Sequence, residues 1–221
     1  MKKISLVIFD MDGLLIDSER GMWIVNEKKA VEELGYTFDY DFAISLMGAS
    51  LDISSQRFVK QYGEDFPVVK LYEIIHAYNR KMIENKEIKL MKGVMPLLNF
   101  LHTNKITMRI ATSTHRNEAE AILKGLNIYE YFDKVVTGDE IINGKPSPDI
   151  YLKALGNDKK EETLIFEDAH NGIRAGINAG INVCLVPDLA LLTDEDLNDA
   201  FKVFNQIDEA IPVIKEINNI M

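Results

Sequence analysis

Seven side chains of this sequence are suited to moving a phosphoryl group, and they lie at or shortly after the ends of predicted strands. They are carboxylates, hydroxyls and one ammonium group: Asp10, Asp12, Thr112, Ser113, Lys145, Glu167 and Asp168. Phosphoryl transfer needs an anionic nucleophile, a proton donor for the leaving oxygen, hydrogen-bond donors for the phosphate oxygens, and positive charge to offset the crowded anions. Each of these needs has a candidate in the set.

The first two acids directly follow an apolar run that ends at Phe9. Such a run is typical of a strand buried on both faces of a parallel sheet. Ligands of open α/β sheets bind outside the carboxyl ends of the strands, so we expect Asp10 and Asp12 to face a cleft. Gly13 allows the chain to turn tightly there. Taken alone, the segment is also compatible with an Asp-rich turn that has no chemical role.

The charge balance of the set predicts a bound divalent cation. If Asp10, Glu167 and Asp168 were all ionised, they would meet a phosphate dianion with only Lys145 beside them. Two like charges about 4 Å apart repel by roughly 4 kcal/mol at an effective dielectric near 20. Carboxylate and carbonyl oxygens are hard ligands, which favours magnesium over zinc.

The elements that must position these residues alternate along most of the chain. Strands are expected from Ser5 to Phe9, Thr107 to Thr112, Val135 to Thr137, Thr163 to Glu167, and Asn182 to Val186. Helices are expected from about Glu19 to Leu34, ending at Gly35, then as one or two helices between Asp39 and Tyr62, and from Pro67 to Glu84. This order predicts an α/β protein with a parallel, Rossmann-like sheet and right-handed crossovers, interrupted by an inserted α-helical cap. We place the core in residues 1–16 and 89–221 and the cap in residues 17–88, with the two connections as a hinge.

One later helix has a glycine at every fourth position, namely Gly172, Gly176 and Gly180. This spacing puts a smooth edge on one helix face and a stop at the end of the helix. In a membrane such an edge favours helix dimerisation, but no apolar 20-residue segment surrounds it. We therefore expect the helix to pack closely on the sheet.

Composition excludes several classes of function. The chain has 221 residues, 47% of them hydrophobic and 27% charged, which is ordinary for a globular protein. Its net charge of -10 disfavours nucleic acid or an anionic membrane as a partner. Cys184 is the only cysteine, so no intrachain disulfide forms, and a cytoplasmic setting is expected. The first apolar stretch is too short for an export signal. A monomer or a weak homo-oligomer is expected.

Four motifs in order make the chain resemble the haloacid dehalogenase superfamily, in the branch of small phosphatases and β-phosphoglucomutase-like proteins. The motifs are Asp10-Met11-Asp12-Gly13, Ile110-Ala111-Thr112-Ser113, Lys145-Pro146, and Phe166-Glu167-Asp168 followed by Gly172-Ile173. Four motifs in register are more specific than any one of them. The helical insertion follows the first motif, where this branch carries its cap.

The resemblance implies a role for each residue of the set. Asp10 would be the nucleophile that becomes an aspartyl-phosphate, and Asp12 would protonate the leaving oxygen and later activate water. Thr112, Ser113 and Lys145 would bind the phosphate. Magnesium would be held by Asp10, Asp168 and the backbone carbonyl of Asp12, with Glu167 as a further contributor.

The reaction itself has three alternatives. The acid at Asp12 favours phosphate esters over carbon-halogen bonds, and we expect a phosphatase acting on a small phosphorylated metabolite, with a sugar phosphate as the leading candidate. Mutases of the β-phosphoglucomutase type carry a histidine and an arginine where this chain has Met22 and Leu51, which favours hydrolysis. A binding or regulatory protein that has kept the fold without turnover is the third alternative.

Substrate selection is expected in the cap, where Arg20, Trp23 and His76 are candidate contacts. Trp23 has two interpretations. Its face is suited to stacking on a sugar or a base. It also falls on the apolar stripe of its helix with Ala30, Val31 and Leu34, which favours a place in the cap's own core.

Overall fold

Six parallel strands form one sheet in the computed structural model, which describes residues 2–47 and 51–220 except for the side chains of residues 51 and 52. The strands are β1 (Leu6–Phe9), β2 (Thr107–Ala111), β3 (Lys134–Val136), β4 (Thr163–Glu167), β5 (Asn182–Leu185) and β6 (Lys202–Val203). Their order in the sheet is β3-β2-β1-β4-β5-β6. The predicted α/β class with a parallel sheet is confirmed.

The helices cover both faces of the sheet and form the cap. They are α1 (Val25–Glu33), α2 (Tyr40–Ser45), α3 (Leu51–Tyr62), α4 (Val68–Glu84), α5 (Val94–Thr103), α6 (Arg116–Gly125), α7 (Asp149–Leu155), α8 (His170–Asn178), α9 (Asp194–Asp199) and α10 (Ala210–Asn218). A π-helical segment, Glu19–Ile24, precedes α1, and single 3-10 turns occur at Tyr129–Tyr131, Gly138–Glu140, Lys160–Glu162 and Ile207–Glu209. Within the described part of the chain, none of these helices has the length and apolar character needed to span a bilayer.

The apolar run of β1 is buried because each of its faces meets a different layer of helices. Val7 and Phe9 belong to the apolar cluster that includes α5, α6 and α10, whereas Leu6 and Ile8 belong to the cluster with α7 and α8. Successive side chains of a strand point to opposite faces of the sheet. A strand covered on both sides therefore needs apolar residues at every position.

Two elements differ from the sequence-based expectation. Strand β6 was not predicted, because its two residues are exposed at the sheet edge and lack an apolar run. The helix expected from Glu19 begins as a π-helix, in which the Trp23 N–H donates to the carbonyl of Ser18 at 2.8 Å, and becomes α-helical only at Val25. Short π-helical turns occur often at functional sites.

The helices from α1 to α4 enclose an apolar cluster of their own. Its centre is formed by Val31 of α1, Phe58 of α3 and Leu71 and Ile75 of α4, with several further aromatic rings around it. The two chain segments that join these helices to the sheet run side by side. The Asp17 N–H donates to the Lys89 carbonyl at 3.0 Å, and the Met91 N–H donates to the Leu15 carbonyl at 2.9 Å.

The glycine edge of α8 packs against the sheet as predicted. A Cβ at Gly176 would lie 2.4 Å from Cγ2 of Val183 in β5 and 3.2 Å from Cδ1 of Ile165 in β4. We expect Gly176→Ala to lower the free energy of unfolding by about 1–3 kcal/mol, since overpacking forces neighbouring side chains from their preferred positions. Urea unfolding measures the change. Gly144→Ala, where an added Cβ meets nothing within 4 Å, is the control, and an equal effect of both substitutions would contradict the packing argument.

Candidate active site

The register of the sheet brings three of the four motifs to one edge. Phe9, the last residue of β1, is paired with Ile110 of β2 and with Phe166 of β4. The Asp10 N–H then donates to the Phe166 carbonyl at 3.0 Å. The three strands β1, β2 and β4 therefore end at the same edge of the sheet, and the polar residues at or after their ends lie close together.

Lys145 lies between two carboxylates at this edge. Its Nζ donates to Oδ1 of Asp10 and, at 2.6 Å, to Oε1 of Glu167, and all three side chains are buried. The hydroxyl of Tyr151, on α7, also donates to Oε1 of Glu167, and the Lys145 ammonium lies 5.0 Å from the centre of the Tyr151 ring. Oε2 of Glu167 accepts from the backbone N–H groups of Asp168 at 3.0 Å and Ala169 at 3.4 Å.

Both oxygens of Glu167 are thus occupied by donors of the protein itself. Its carboxylate is fixed in place by Lys145, Tyr151 and the first residues after β4. Gly172 permits this arrangement, since a Cβ there would lie 1.8 Å from Oε1 of Glu167. The arrangement makes Glu167 an anchor for Lys145 before any ligand is considered.

Burial, together with the charges of neighbouring acids, raises the pKa values of Asp10 and Asp168. Burial raises the pKa of Asp10 to about 8, against the opposing effect of Lys145 and with a further rise from the charge of Glu167. Burial, and then the charges of Glu167 and Asp10, raise the pKa of Asp168 well above its usual range. Burial alone would lower the pKa of Lys145, but Asp10 and Glu167 raise it well above its usual value. One ammonium group therefore does not offset the three acids.

The three acids fit a divalent cation. Asp10, Glu167 and Asp168 each offer an oxygen, and these atoms lie within 4.8 Å of one another. Oδ2 of Asp168 is buried and makes no hydrogen bond within the described residues. A Cβ at Gly13 would lie 2.3 Å from that oxygen, so glycine keeps the space beside it open. A cluster of hard oxygen donors with an unpaired buried carboxylate oxygen is the arrangement that a hard divalent ion requires.

Asp12 is held by two threonines from the loop after β2. The hydroxyls of Thr112 and Thr114 donate to Oδ2 of Asp12 at 3.0 and 2.7 Å. The Thr114 N–H donates to the Thr112 hydroxyl at 3.1 Å, which turns the loop so that both side chains reach the same carboxylate. Ser113, between them, is exposed. Its carbonyl oxygen lies 2.2 Å from where a Cβ of Gly138 would be, so a glycine is needed there.

Thr114 is a site residue that the sequence motifs do not single out. Its spacing from Thr112 could have indicated it. Alternate residues of an extended segment point to the same side, so in Thr112-Ser113-Thr114 the two threonine hydroxyls lie on one side. The proposed phosphate contacts of Thr112 and Ser113 remain predictions. In this structure the Thr112 hydroxyl donates its hydrogen bond to Asp12.

We expect Thr114→Val to lower kcat roughly ten- to hundredfold, because a hydrogen bond to a charged group contributes about 1.5–3 kcal/mol. Valine keeps the shape of the side chain and removes only the donor to Asp12. Steady-state kinetics against a hydrolysed phosphate ester measures the effect, with Thr103→Val on the exposed face of α5 as the matched control. Full activity of the Thr114 variant would show that Asp12 does not need this donor.

A cavity of about 340 Å³ opens between the cap and the sheet edge, with Asp12 in its wall. The core contributes Asp12, Thr114 and Glu118, and the cap contributes Ser18, Glu19, Met22, Trp23, Leu46, Met47, Ser54, Phe58, Tyr72, His76 and Asn79. The described lining includes no lysine or arginine. Apart from the acids near the sheet edge, the wall is apolar and aromatic with a few neutral polar groups.

The three cap candidates have different environments. Trp23 meets both interpretations, since it packs on the apolar cluster of the cap and also lines the cavity. His76 lines the cavity as well, with its ring centroid 6.4 Å from that of Trp23. Arg20 instead pairs with Asp188 at 2.7 Å. Of the two positions compared with mutases, Met22 is buried in the cavity wall, and the side chain of Leu51 lies outside the described residues.

Glu19 is a further site residue that no sequence pattern indicates. It lines the cavity beside Asp12, and its Oε2 is buried without a hydrogen bond from the described residues. Burial raises the pKa of Glu19 to about 7, and the charges of Asp188 and Asp12 add to the rise. An acid directly after a predicted helix start is common on protein surfaces, so only the fold shows that this one is enclosed.

Comparisons with known proteins identify one family. Residues 7–186 match the family described as haloacid dehalogenase-like hydrolase. The chain is 32% identical to the probable pseudouridine-5'-phosphatase of Drosophila melanogaster, over 96% of this chain and 94% of that protein. It is 34% identical to the phosphorylated carbohydrates phosphatase of Thermotoga maritima, over 80% of this chain and 82% of that protein. The crystal structure of β-phosphoglucomutase from Clostridium difficile has the same fold, with a TM-score of 0.75 at 24% identity, over 98% of this chain and 97% of that chain.

Proposed function

This chain belongs to the haloacid dehalogenase-like hydrolases and is a phosphoric monoester hydrolase, and from that premise we propose that it is a magnesium-dependent phosphatase of a small phosphorylated metabolite. The observation that carries the proposal is the juxtaposition of Asp10, Lys145 and the acids suited to a cation with Asp12 in the wall of a cavity. The expected setting is the cytoplasm.

In the proposed reaction, Asp10 is the nucleophile. Its carboxylate oxygen bonds to the phosphorus as the bond from phosphorus to the ester oxygen breaks, which leaves an aspartyl-phosphate. Asp12, held by Thr112 and Thr114, gives its proton to the departing alcohol oxygen. Asp12 then takes a proton from water as that water attacks the phosphorus, so that inorganic phosphate leaves and Asp10 is regenerated.

Lys145 and the acids around it set the charge of this site. Lys145 donates to Asp10 on one side and to Glu167 on the other. Glu167 in turn accepts from the hydroxyl of Tyr151, which fixes its position. We place Mg²⁺ on Asp10, Asp168 and the backbone carbonyl of Asp12, with Glu167 contributing charge close by, because the Glu167 oxygens already accept four hydrogen bonds. Bound there, the ion would supply the positive charge that keeps the acids ionised and offsets the phosphate dianion.

A phosphatase fits the cavity better than a mutase does. A sugar-phosphate mutase passes through a bisphosphate, whose second phosphate needs a cationic or strongly donating site. The described cavity lining has no lysine or arginine, and residues 48–52 have none in the sequence. Met22, with no proton to exchange, stands in the wall where the resemblance places a mutase histidine.

The substrate is expected to be an uncharged metabolite esterified with a single phosphate. Two relatives are named for pseudouridine 5'-phosphate and for phosphorylated carbohydrates, and both have a sugar next to the phosphate. A sugar phosphate, free or carrying a base, is therefore the leading candidate.

A panel of phosphorylated metabolites assayed for phosphate release with Mg²⁺ tests the proposal. Sugar phosphates, nucleoside monophosphates including pseudouridine 5'-phosphate, glycerol 3-phosphate and bisphosphates should all be included. We expect release from a subset of the monophosphates, and absence of release from every member would favour the binding or regulatory alternative. Incubation with β-glucose 1-phosphate and a bisphosphate primer separates the mutase, which would form an isomer without free phosphate.

A further inference from the structure

The cap wall of the cavity contains a buried amide that is held from behind by a second amide. Asn79, on α4, is 3% exposed and lines the cavity on the same helix face as Tyr72 and His76. Asn26, on α1, is fully buried and does not belong to the described lining. Its Nδ2 donates to Oδ1 of Asn79 at 2.8 Å. The pair has no part in the proposed reaction.

The neighbours of Asn26 fix which way its amide points. Nζ of Lys29 donates to Oδ1 of Asn26 at 3.2 Å, and an ammonium group can only donate. On the other side, Nδ2 of Asn26 lies 3.1 Å from Sδ of Met82, and a thioether sulfur can only accept. A flipped amide would set donor against donor and acceptor against acceptor. Asn26 therefore turns its N–H groups toward Asn79 and Met82.

The orientation of Asn26 determines that of Asn79. Because Asn26 presents a donor, Asn79 meets it with Oδ1, and Nδ2 of Asn79 faces away from the pair. This nitrogen has no acceptor among the described residues, yet it is not one of the fully buried side-chain atoms that lack a partner. The residue as a whole is nearly enclosed, so the open space that the nitrogen reaches is the cavity. A fixed amide donor thus faces the cavity.

We propose that Asn79 is a specificity-determining residue whose Nδ2 donates to an uncharged oxygen of the substrate's alcohol part, and that Asn26 is the positioning residue that turns this donor into the cavity. This rests on the proposed function and deepens it. Asp12, the group that protonates the departing alcohol, lies in the wall of the same cavity, so the alcohol part occupies this space. Glu19 and Glu118 in that wall accept hydrogen bonds when ionised, and Asn79 complements them with a donor. The ligand class is a monophosphate ester whose alcohol carries a further oxygen, such as a hydroxyl, a ring oxygen or a base carbonyl.

The first test measures hydrogen exchange of the two side-chain amides by NMR in the substrate-free protein. Each amide is assigned by the loss of its signal in Asn26→Asp or Asn79→Asp. We expect the Asn79 amide to exchange with water about tenfold faster or more than the Asn26 amide, because only the former faces the cavity. Equal rates would overturn the proposal, since exchange would then require opening of the whole cap. The measurement needs no turnover, so its outcome is independent of the phosphatase assignment.

The second test uses Asn79→Asp, which keeps an acceptor for Asn26 and replaces the cavity donor with an acceptor. The oxygen-bearing ester is uridine 5'-monophosphate or glucose 6-phosphate, whichever the wild type hydrolyses. Phenyl phosphate, whose alcohol has no further oxygen, is the reference, measured by KM or by its inhibition constant. The ratio of the two constants should rise about tenfold or more with little change in kcat, because the lost hydrogen bond acts on substrate and transition state alike. The ratio cancels the repulsion that a new carboxylate exerts on the phosphate of both esters. An unchanged ratio in the folded variant would overturn the contact.

Asn26→Asp tests the positioning role without a new group in the cavity. An acid at this place accepts on both sides, so it keeps Lys29 and forces Asn79 to meet it with Nδ2, which turns Oδ1 of Asn79 into the cavity. We expect the same rise in the ratio, and no rise in Asn157→Asp, which makes the same change at an exposed position after α7. A wild-type ratio in folded Asn26→Asp would overturn the role of Asn26. If this variant does not fold, Asn79→Asp and the exchange rates decide the proposal.

Discussion

Replacing Asp10 with asparagine is expected to lower kcat by on the order of 10⁴-fold or more, because the amide oxygen is a poor nucleophile and no other carboxylate occupies the same position. The fold should remain intact. Burial disfavours the ionised form of Asp10 and raises its pKa to about 8, so a neutral side chain of the same shape is compatible with this environment. Thermal unfolding should therefore occur at an unchanged or slightly higher temperature.

An assay of phosphate release measures the loss of kcat, and calorimetry on the same preparations measures the unfolding temperature. Asp65→Asn is the matched control, because it makes the same chemical change at an exposed position between α3 and α4. Mass spectrometry of the wild type quenched during turnover should find a phosphate on the peptide that contains Asp10. Residual activity within about tenfold of wild type in a folded Asp10 variant would remove the nucleophile from the mechanism, since a change that small corresponds to only about 1.4 kcal/mol.

The sheet edge of this site can be recognised in the sequence because each of its three strands ends in a polar residue or is directly followed by one. All four residues of β1, before Asp10, are apolar, which is typical of a strand covered on both faces. The apolar residues of β4 are likewise followed by a polar residue, Glu167. Parallel order then places the ends of these strands together. The stripe of α4 was equally clear, because its apolar residues step by three or four along an otherwise polar helix. These are local patterns with one physical cause each.

The contacts that complete the site join residues distant in sequence, so no local sequence pattern predicts them. Thr114 donates a hydrogen bond to Asp12, which lies 102 residues earlier in the sequence, and no local pattern near either residue predicts this contact. Glu167 looks like a free metal ligand in the sequence, yet the hydroxyl of Tyr151 and the ammonium of Lys145 share one of its oxygens. The buried carboxyl oxygen of Glu19 is also invisible to periodicity, because an acid at such a position usually faces solvent.

Removal of divalent cations is expected to stop turnover and to destabilise the protein together. EDTA should lower activity by about a hundredfold or more, and Mg²⁺ should restore it, since the acids and the phosphate dianion repel each other without a cation. Mg²⁺ binds only the folded cluster, so at a hundred times its Kd it should stabilise the fold by about 2.7 kcal/mol. Asp168→Asn should lose most of this Mg²⁺-dependent rise in unfolding temperature, whereas Asp65→Asn should keep it. The buried, unpaired Oδ2 of Asp168 is the reason for choosing this position, and full activity in EDTA with no divalent ion found by metal analysis would contradict the assignment.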